Sequence, residues 1–285
     1  MRAMVVLVAV TVTVTGAGTA LPSVADSIGP STPAAPRSLD AARATTTTSR
    51  MTPTERAIRQ ARSYPLRATT IALDPGHQLG NHNYSRQTSA LVPAGGFKKA
   101  CNTTGTATNS GVAEATVNFL LARAVRLRLQ ALGARVRMTR NTNSQSRWGP
   151  CIDARGRFGR RVGARLMVSL HADGESSSGR GFHVIAPQRR APWTTDIAGP
   201  SLRLARSLRD GLTSYDVPPS SYTGGGTGLN VRSDLGTLNM SDVPVAMIEI
   251  GNMRNSGDAR RMTSTSGRAR YAGAVVRGIR TFLGR

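Results

Sequence analysis

Hydrophobic positions along the chain follow two rhythms. Five short apolar runs, Thr69–Leu73, Ala134–Thr139, Leu166–Leu170, Gly181–Ile185 and Val243–Ile250, read as strands. Between them the spacing becomes helical. Over 112–132, Val117, Leu120, Leu121, Ala124, Leu127 and Ala131 fall on one face, and Arg123, Arg126 and Gln130 on the other. Gly133 is placed to stop that helix. Further helices are predicted over 52–63 (starting near Thr52 or Thr54), 152–164, 200–212 and 267–282. Residues 213–242 are rich in Gly, Ser and Pro and predict a loop that shapes a cleft. Strands alternating with helices imply an α/β fold: a single domain with a twisted, mostly parallel or mixed sheet flanked by helices on both faces.

The pattern begins near residue 68. Before it, Arg2, the apolar or threonine stretch Val5–Val14, and the small-residue sites Gly18-Thr19-Ala20 and Ser23-Val24-Ala25 predict a signal peptide over 1–25. Residues 26–67 predict a flexible Ser/Thr/Pro/Ala-rich linker, and 68–285 the folded domain. The expected product is secreted to the periplasm or cell wall. No Cys follows the apolar stretch and no later run is long enough to span a bilayer, so no stable membrane anchor is expected. A monomer is expected, with no internal repeat and no appended wall-binding module.

Charge narrows the partners. Lys+Arg number 38 against 15 Asp+Glu, a formal +23, and Lys98 and Lys99 are the only lysines. Such a surface attracts polyanions. Export argues against nucleic acid and leaves anionic wall polymers as candidates. Two cysteines, Cys101 and Cys151, predict a disulfide in an exported protein, tying the 86–110 insertion to the base of a later helix.

The chemistry gathers where strands end. The first strand runs into Asp74-Pro75-Gly76-His77 and the third into His171-Ala172-Asp173. In open α/β sheets, ligands bind beyond the carboxyl ends of the strands. Glu114 starts the long helix three residues before Val117, and Glu249 interrupts the apolar run of the last strand. The chain has four His and four Glu (Glu55, Glu114, Glu175, Glu249), and two of each fall at this edge. Two histidines and a carboxylate with one position open form the ligand set of a hydrolytic Zn2+ site. His77, Glu114 and His171 are therefore the expected metal ligands, with Glu249 the catalytic base. Asp173 or Glu175 could replace Glu114, and Glu249 could instead pair with a buried arginine. Asp74 is a candidate partner for an imidazole, or satisfies its own turn. His82 is expected to be exposed, and His183 to be packed on the sheet rather than a ligand.

Four motifs in order carry a resemblance: Ile71-Ala72-Leu73-Asp74-Pro75-Gly76-His77, the Glu114 helix, Val168-Ser169-Leu170-His171-Ala172-Asp173, and Val245-Ala246-Met247-Ile248-Glu249-Ile250-Gly251-Asn252. Over 68–285 the chain resembles the zinc-dependent N-acetylmuramoyl-L-alanine amidases of amidase type 3. The resemblance implies a peptidoglycan or muropeptide substrate, cleaved at the amide between N-acetylmuramic acid and the L-alanine of the stem peptide. Asn252-Met253 stands where the family often carries an aromatic residue. The 86–110 insertion predicts a hairpin or loop held by Cys101, not an inhibitory helix. Two alternatives are a zinc carboxypeptidase acting within the stem peptide, with Arg232 or Arg254 gripping a carboxylate, and a non-catalytic basic wall-binding protein.

Overall fold

The computed structural model describes residues 51–285; the expected signal peptide and the 26–50 tract lie outside the described residues. Helix α1 (Pro53–Ser63) opens on a capping box, Thr52 and Glu55 each accepting the other's backbone N–H. The chain then forms β1 (Thr70–Pro75), α2 (Ser85–Ser89), a hairpin of β2 (Leu91–Pro93) and β3 (Lys98–Ala100), and the long α3 (Glu114–Ala131). Next come β4 (Arg135–Met138), α4 (Ile152–Gly156), α5 (Phe158–Arg161), β5 (Leu166–Asp173), β6 (His183–Pro187) and α6 (Ala198–Thr213). Strand β7 (Leu229–Arg232), α7 (Gly236–Asn239), β8 (Val245–Asn252), α8 (Ser256–Thr263) and α9 (Thr265–Leu283) complete it.

Six strands form one mixed sheet in the order β4-β1-β5-β8-β6-β7. β4, β1, β5 and β8 are parallel, whereas β6 runs against β8 and carries β7 with it. That reversal matters for the site. It starts β6 at the edge where β5 and β8 finish, so His171, Glu249 and His183 sit side by side in register.

Alternate residues of each strand enter two cores, as the twofold side-chain period requires. Ile71, Leu73, Val168, Leu170, Ala246 and Ile248 face α3, α6 and α9. Ala72, Met167, Val245 and Met247 face the other way, packing with Phe158 and Leu238. The expected sheet with helices on both faces is present. Leu66 is fully buried and its N–H bonds to the Leu132 carbonyl at 2.9 Å.

The structure corrects four local readings. The helix expected over 152–164 is two short ones, α4 and α5. Gly156 and Gly159, both poor helix formers, let the chain lie against Met240 and Val243, where a Cβ would come within 2.7 and 2.4 Å. The 213–242 loop contains β7 and α7. Among the described residues β7 pairs only with β6, and its Leu229-Asn230-Val231-Arg232 alternation is too short to stand out between glycines. On α3 the buried row is Glu114, Asn118, Leu121, Val125 and Leu129, and Leu127 is 62% exposed. Helix α8, capped by Asn255, was not expected at all.

The predicted disulfide is present. Cys101 and Cys151 are bonded with a Cα–Cα distance of 4.3 Å, fixing the end of the β2–β3 hairpin to the start of α4. Asn252, which follows Gly251, is buried and fully used by its neighbours. Its amide donates to the carbonyls of Ser176 and Gly179 at 2.7 and 2.8 Å, tying the end of β8 to the turn after β5.

Candidate active site

β1 delivers His77 to the sheet edge in an unusual conformation. Its φ is 56°, in the left-handed region that costs a residue with a Cβ on the order of 1–3 kcal/mol. Two buried arginines brace this turn. Arg155 donates to the carbonyls of Pro75 and His77 at 2.8 and 2.7 Å, and Arg140 to those of Pro75 and Gly76 at 3.0 and 3.1 Å. Gly76 is required: a Cβ there would stand 2.3–2.5 Å from the His171 ring.

His77 Nδ1 lies 3.0 Å from the Thr103 carbonyl. A carbonyl can only accept, so this contact places a proton on Nδ1 and directs Nε2 inward. Nε2 is 3.2 Å from Glu114 Oε2. From the end of β5, His171 Nδ1 is 3.0 Å from Glu114 Oε1. The two imidazole rings meet edge-on, 4.9 Å apart at 81°.

Glu114 reaches this point because α3 begins here. Its carboxylate is clamped by five partners: the N–H groups of Thr106 and Ala172 at 3.0 and 3.2 Å, Asn118 Nδ2 at 3.0 Å, and the two histidines. Burial disfavours the charged forms of both Glu114 and His77, but their mutual field overrides it. Glu114 is held well below the usual carboxylate range, and His77 is raised above the ordinary imidazole value. One donor atom each from His77, Glu114 and His171 lie within 4.8 Å of one another, a group able to hold a metal ion. Asp173 and Glu175 do not join it. Asp173 accepts from the Tyr222 hydroxyl at 3.2 Å, and Glu175 caps the Ser176 N–H at 2.8 Å.

Glu249 is the in-register neighbour of His171. Its Oε2 is buried without a hydrogen-bond partner among the described residues, so no arginine claims it. Burial, with the negative charges of Glu114 and Asp173, raises its carboxyl well above the usual range against an opposing pull from Arg232. A carboxylate of raised basicity beside a candidate metal position is suited to take a proton. On its other side His183 is buried in the sheet, and burial lowers it to about 4, keeping it neutral. His82 is exposed, as expected.

Asp74 does not touch an imidazole. Its buried carboxylate accepts from Arg155 and Thr139, both at 2.6 Å, and from Ser169 at 2.7 Å. Arg155, Arg140 and Thr103 were not foreseen. A single arginine carries no signal in a chain this rich in them, and Thr103 acts through its backbone. Arg232, the gripping arginine of the carboxypeptidase alternative, is spent on Asp234 in a two-pronged contact of 2.9 and 2.7 Å.

A half-buried pair of histidines on a buried glutamate at the carboxyl edge of an α/β sheet, with a second carboxylate alongside, defines the class: a hydrolase scaffold with a candidate metal site. The chain belongs to the N-acetylmuramoyl-L-alanine amidase family, whose profile matches residues 71–281. It is 41% identical over 217 residues to the N-acetylmuramoyl-L-alanine amidase Rv3717 of Mycobacterium tuberculosis, covering 75% of this chain and 86% of that protein. It resembles the crystal structure of the amidase Ami1 of Mycobacterium smegmatis, with TM-score 0.72, 38% identity, and coverage of 77% of this chain and 98% of the other. The apo Ami1 of Mycobacterium abscessus gives TM-score 0.71 and 39% identity, covering 76% of this chain and 100% of the other. The enzyme class is thus that of peptidoglycan hydrolases acting on an amide, and the amidase type 3 resemblance holds over the folded domain. No helix among the described residues is long and apolar enough to cross a membrane.

Proposed function

We propose that this chain is a secreted, monomeric, zinc-dependent amidase. Its substrate bond is the amide between the lactyl carbonyl of N-acetylmuramic acid and the L-alanine of the stem peptide. His77, Glu114 and His171 hold the zinc and Glu249 is the general base. Residues 1–25 direct export, the linker is confined to 26–50 of the expected 26–67 because α1 and the buried Leu66 belong to the folded domain, and the basic surface adds affinity for anionic wall polymers. The supporting observation is the donor set itself: two imidazoles from separate strands converge on one carboxylate, with Glu249 on the neighbouring strand.

The donors suit zinc. Imidazole nitrogen and carboxylate oxygen are its ordinary ligands, and three protein ligands leave a position open. Bound there, zinc supplies a water acidified toward neutrality and polarises the scissile carbonyl.

The remaining work falls to the protein. Glu249, the in-register neighbour of His171, removes a proton from the attacking water as its oxygen bonds to the lactyl carbonyl carbon. The same carboxyl returns that proton to the alanine nitrogen as the C–N bond breaks, leaving a lactyl carboxylic acid and a free amine. Thr103 fixes the His77 tautomer, and Arg155 and Arg140 hold the turn that aims the ring.

Mass spectrometry of muropeptides tests the reading. Digestion should free stem peptides with a new L-alanine N-terminus, stop with chelator, and resume on adding zinc. Free D-alanine with stem peptides still attached to glycan, or chelator-insensitive cleavage, contradicts it.

A further inference from the structure

The cleft beside the cluster has a volume of about 290 Å³ and reaches from His77, His171 and Glu249 to Lys99 on β3. Two cationic side chains line it, Lys99 and Arg155. Arg155 has no capacity left for a ligand. It is 2% exposed and committed to Asp74 and to backbone carbonyls.

Lys99 is different. Its side chain is 42% exposed, and its Nζ donates to the Asp234 carbonyl at 2.9 Å. The Asp234 carboxylate lies 3.8 Å away, and Arg232 already neutralises it through both prongs of its guanidinium. The Lys99–Asp234–Arg232 group therefore carries one net positive charge. An ammonium has three N–H donors, so Lys99 keeps two for a ligand. The neighbouring disulfide at Cys101 anchors the strand that carries it. Lys98 and Lys99 are the only lysines of a chain otherwise basic through arginine, and at Lys99 the cleft carries a compact ammonium rather than the planar fork of a guanidinium.

The cleft thus holds both a proton acceptor, Glu249, and an exposed cation, Lys99, in its lining. A matching ligand combines a scissile amide with a carboxylate that the same cleft can hold. Stem peptides carry such a group on the acidic residue after the L-alanine. We propose that Lys99 is a specificity-determining residue that binds that carboxylate, making the enzyme prefer stem peptides in which it is free over those in which it is amidated. This rests on the amidase reading above.

The test compares two muramoyl peptides differing only in that carboxylate, free or amidated. Binding is measured by calorimetry to the zinc-loaded Glu249→Gln protein, which is built to hold substrate without consuming it, with and without Lys99→Met. Lys99 should favour the free acid by about 10- to 100-fold, the range of a hydrogen bond to a charged group. Lys99→Met should erase the preference while leaving amidated-peptide binding unchanged, and Lys99→Arg should restore most of it. Equal affinity for the two peptides, equal loss on both, or binding of neither overturns the proposal. Selective, Lys99-dependent binding by a wild-type enzyme that leaves the muramoyl–alanine bond intact overturns the amidase reading alone.

Discussion

Arg155 and Asp74 form an ion pair sealed inside the protein, Nη1 2.6 Å from Oδ1, with side-chain exposures of 2% and 0%. The same guanidinium holds the carbonyl of His77. The pair therefore links fold stability to the aim of a candidate ligand. Breaking a buried pair from one side strands a charge, which costs about 3–5 kcal/mol. Asp74→Asn should lower unfolding free energy by that order in a denaturant titration. Burial works against the Asp74 charge, but Arg155, Thr139, His171 and Ser169 together pull its carboxyl below the usual value. A carboxyl depressed in the folded state stabilises fully above its unfolded value of about 4 and loses that contribution as pH falls through the folded value. The gap between wild type and Asp74→Asn should be level from about pH 5 upward and shrink below about pH 4. A gap that widens on acidification contradicts the assignment.

Two glycines with similar backbones separate strain from steric exclusion. Gly105 has φ 77°, and a Cβ there would stand 2.6 Å from Glu114 Oε2 and 2.9 Å from His77 Cδ2. Gly111 has φ 85° with nothing within 4 Å of a Cβ. Each Gly→Ala change bears the backbone cost of a positive φ, about 1 kcal/mol. Only Gly105→Ala should also weaken zinc in a competition titration, by tenfold or more. Equal zinc affinity in the two variants removes the claim that this backbone approach shapes the site.

The disulfide should matter at two levels. It closes a 50-residue separation, worth about 4 kcal/mol in the chain-entropy account. Cys101 also lies two residues before Thr103, whose carbonyl holds both His77 and Asn81. Replacing both cysteines with alanine should lower the melting temperature and weaken zinc binding together. Unchanged zinc affinity with a lowered melting temperature would confine the bridge to stability.

Much of this was legible from the chain. Strands ending in Asp74-Pro75-Gly76-His77 and His171-Ala172-Asp173 announce both their period and their polar termini. Glu249 stands out because a carboxylate in an apolar strand is costly without a purpose. Sheet order was not legible. The antiparallel β6 that sets His183 beside Glu249 depends on long-range pairing that no local pattern encodes. Edge strand β7 was missed for the same reason that it is weakly specified: one partner and four residues. The error at Leu127 came from choosing a helical stripe one step round from the row that begins at Glu114 and continues through Asn118 and Leu121. Asp74 was read by its nearness in sequence to His77, whereas its partner Arg155 lies 81 residues away.

The most direct test of the whole account is the zinc content of the Glu249→Gln protein measured beside its turnover of peptidoglycan. The account predicts one zinc per chain, as in wild type, with cleavage of the muramoyl–alanine bond reduced by about 10²- to 10⁴-fold, the usual contribution of a general base. Near-normal turnover, or loss of the metal along with the carboxylate, would contradict it.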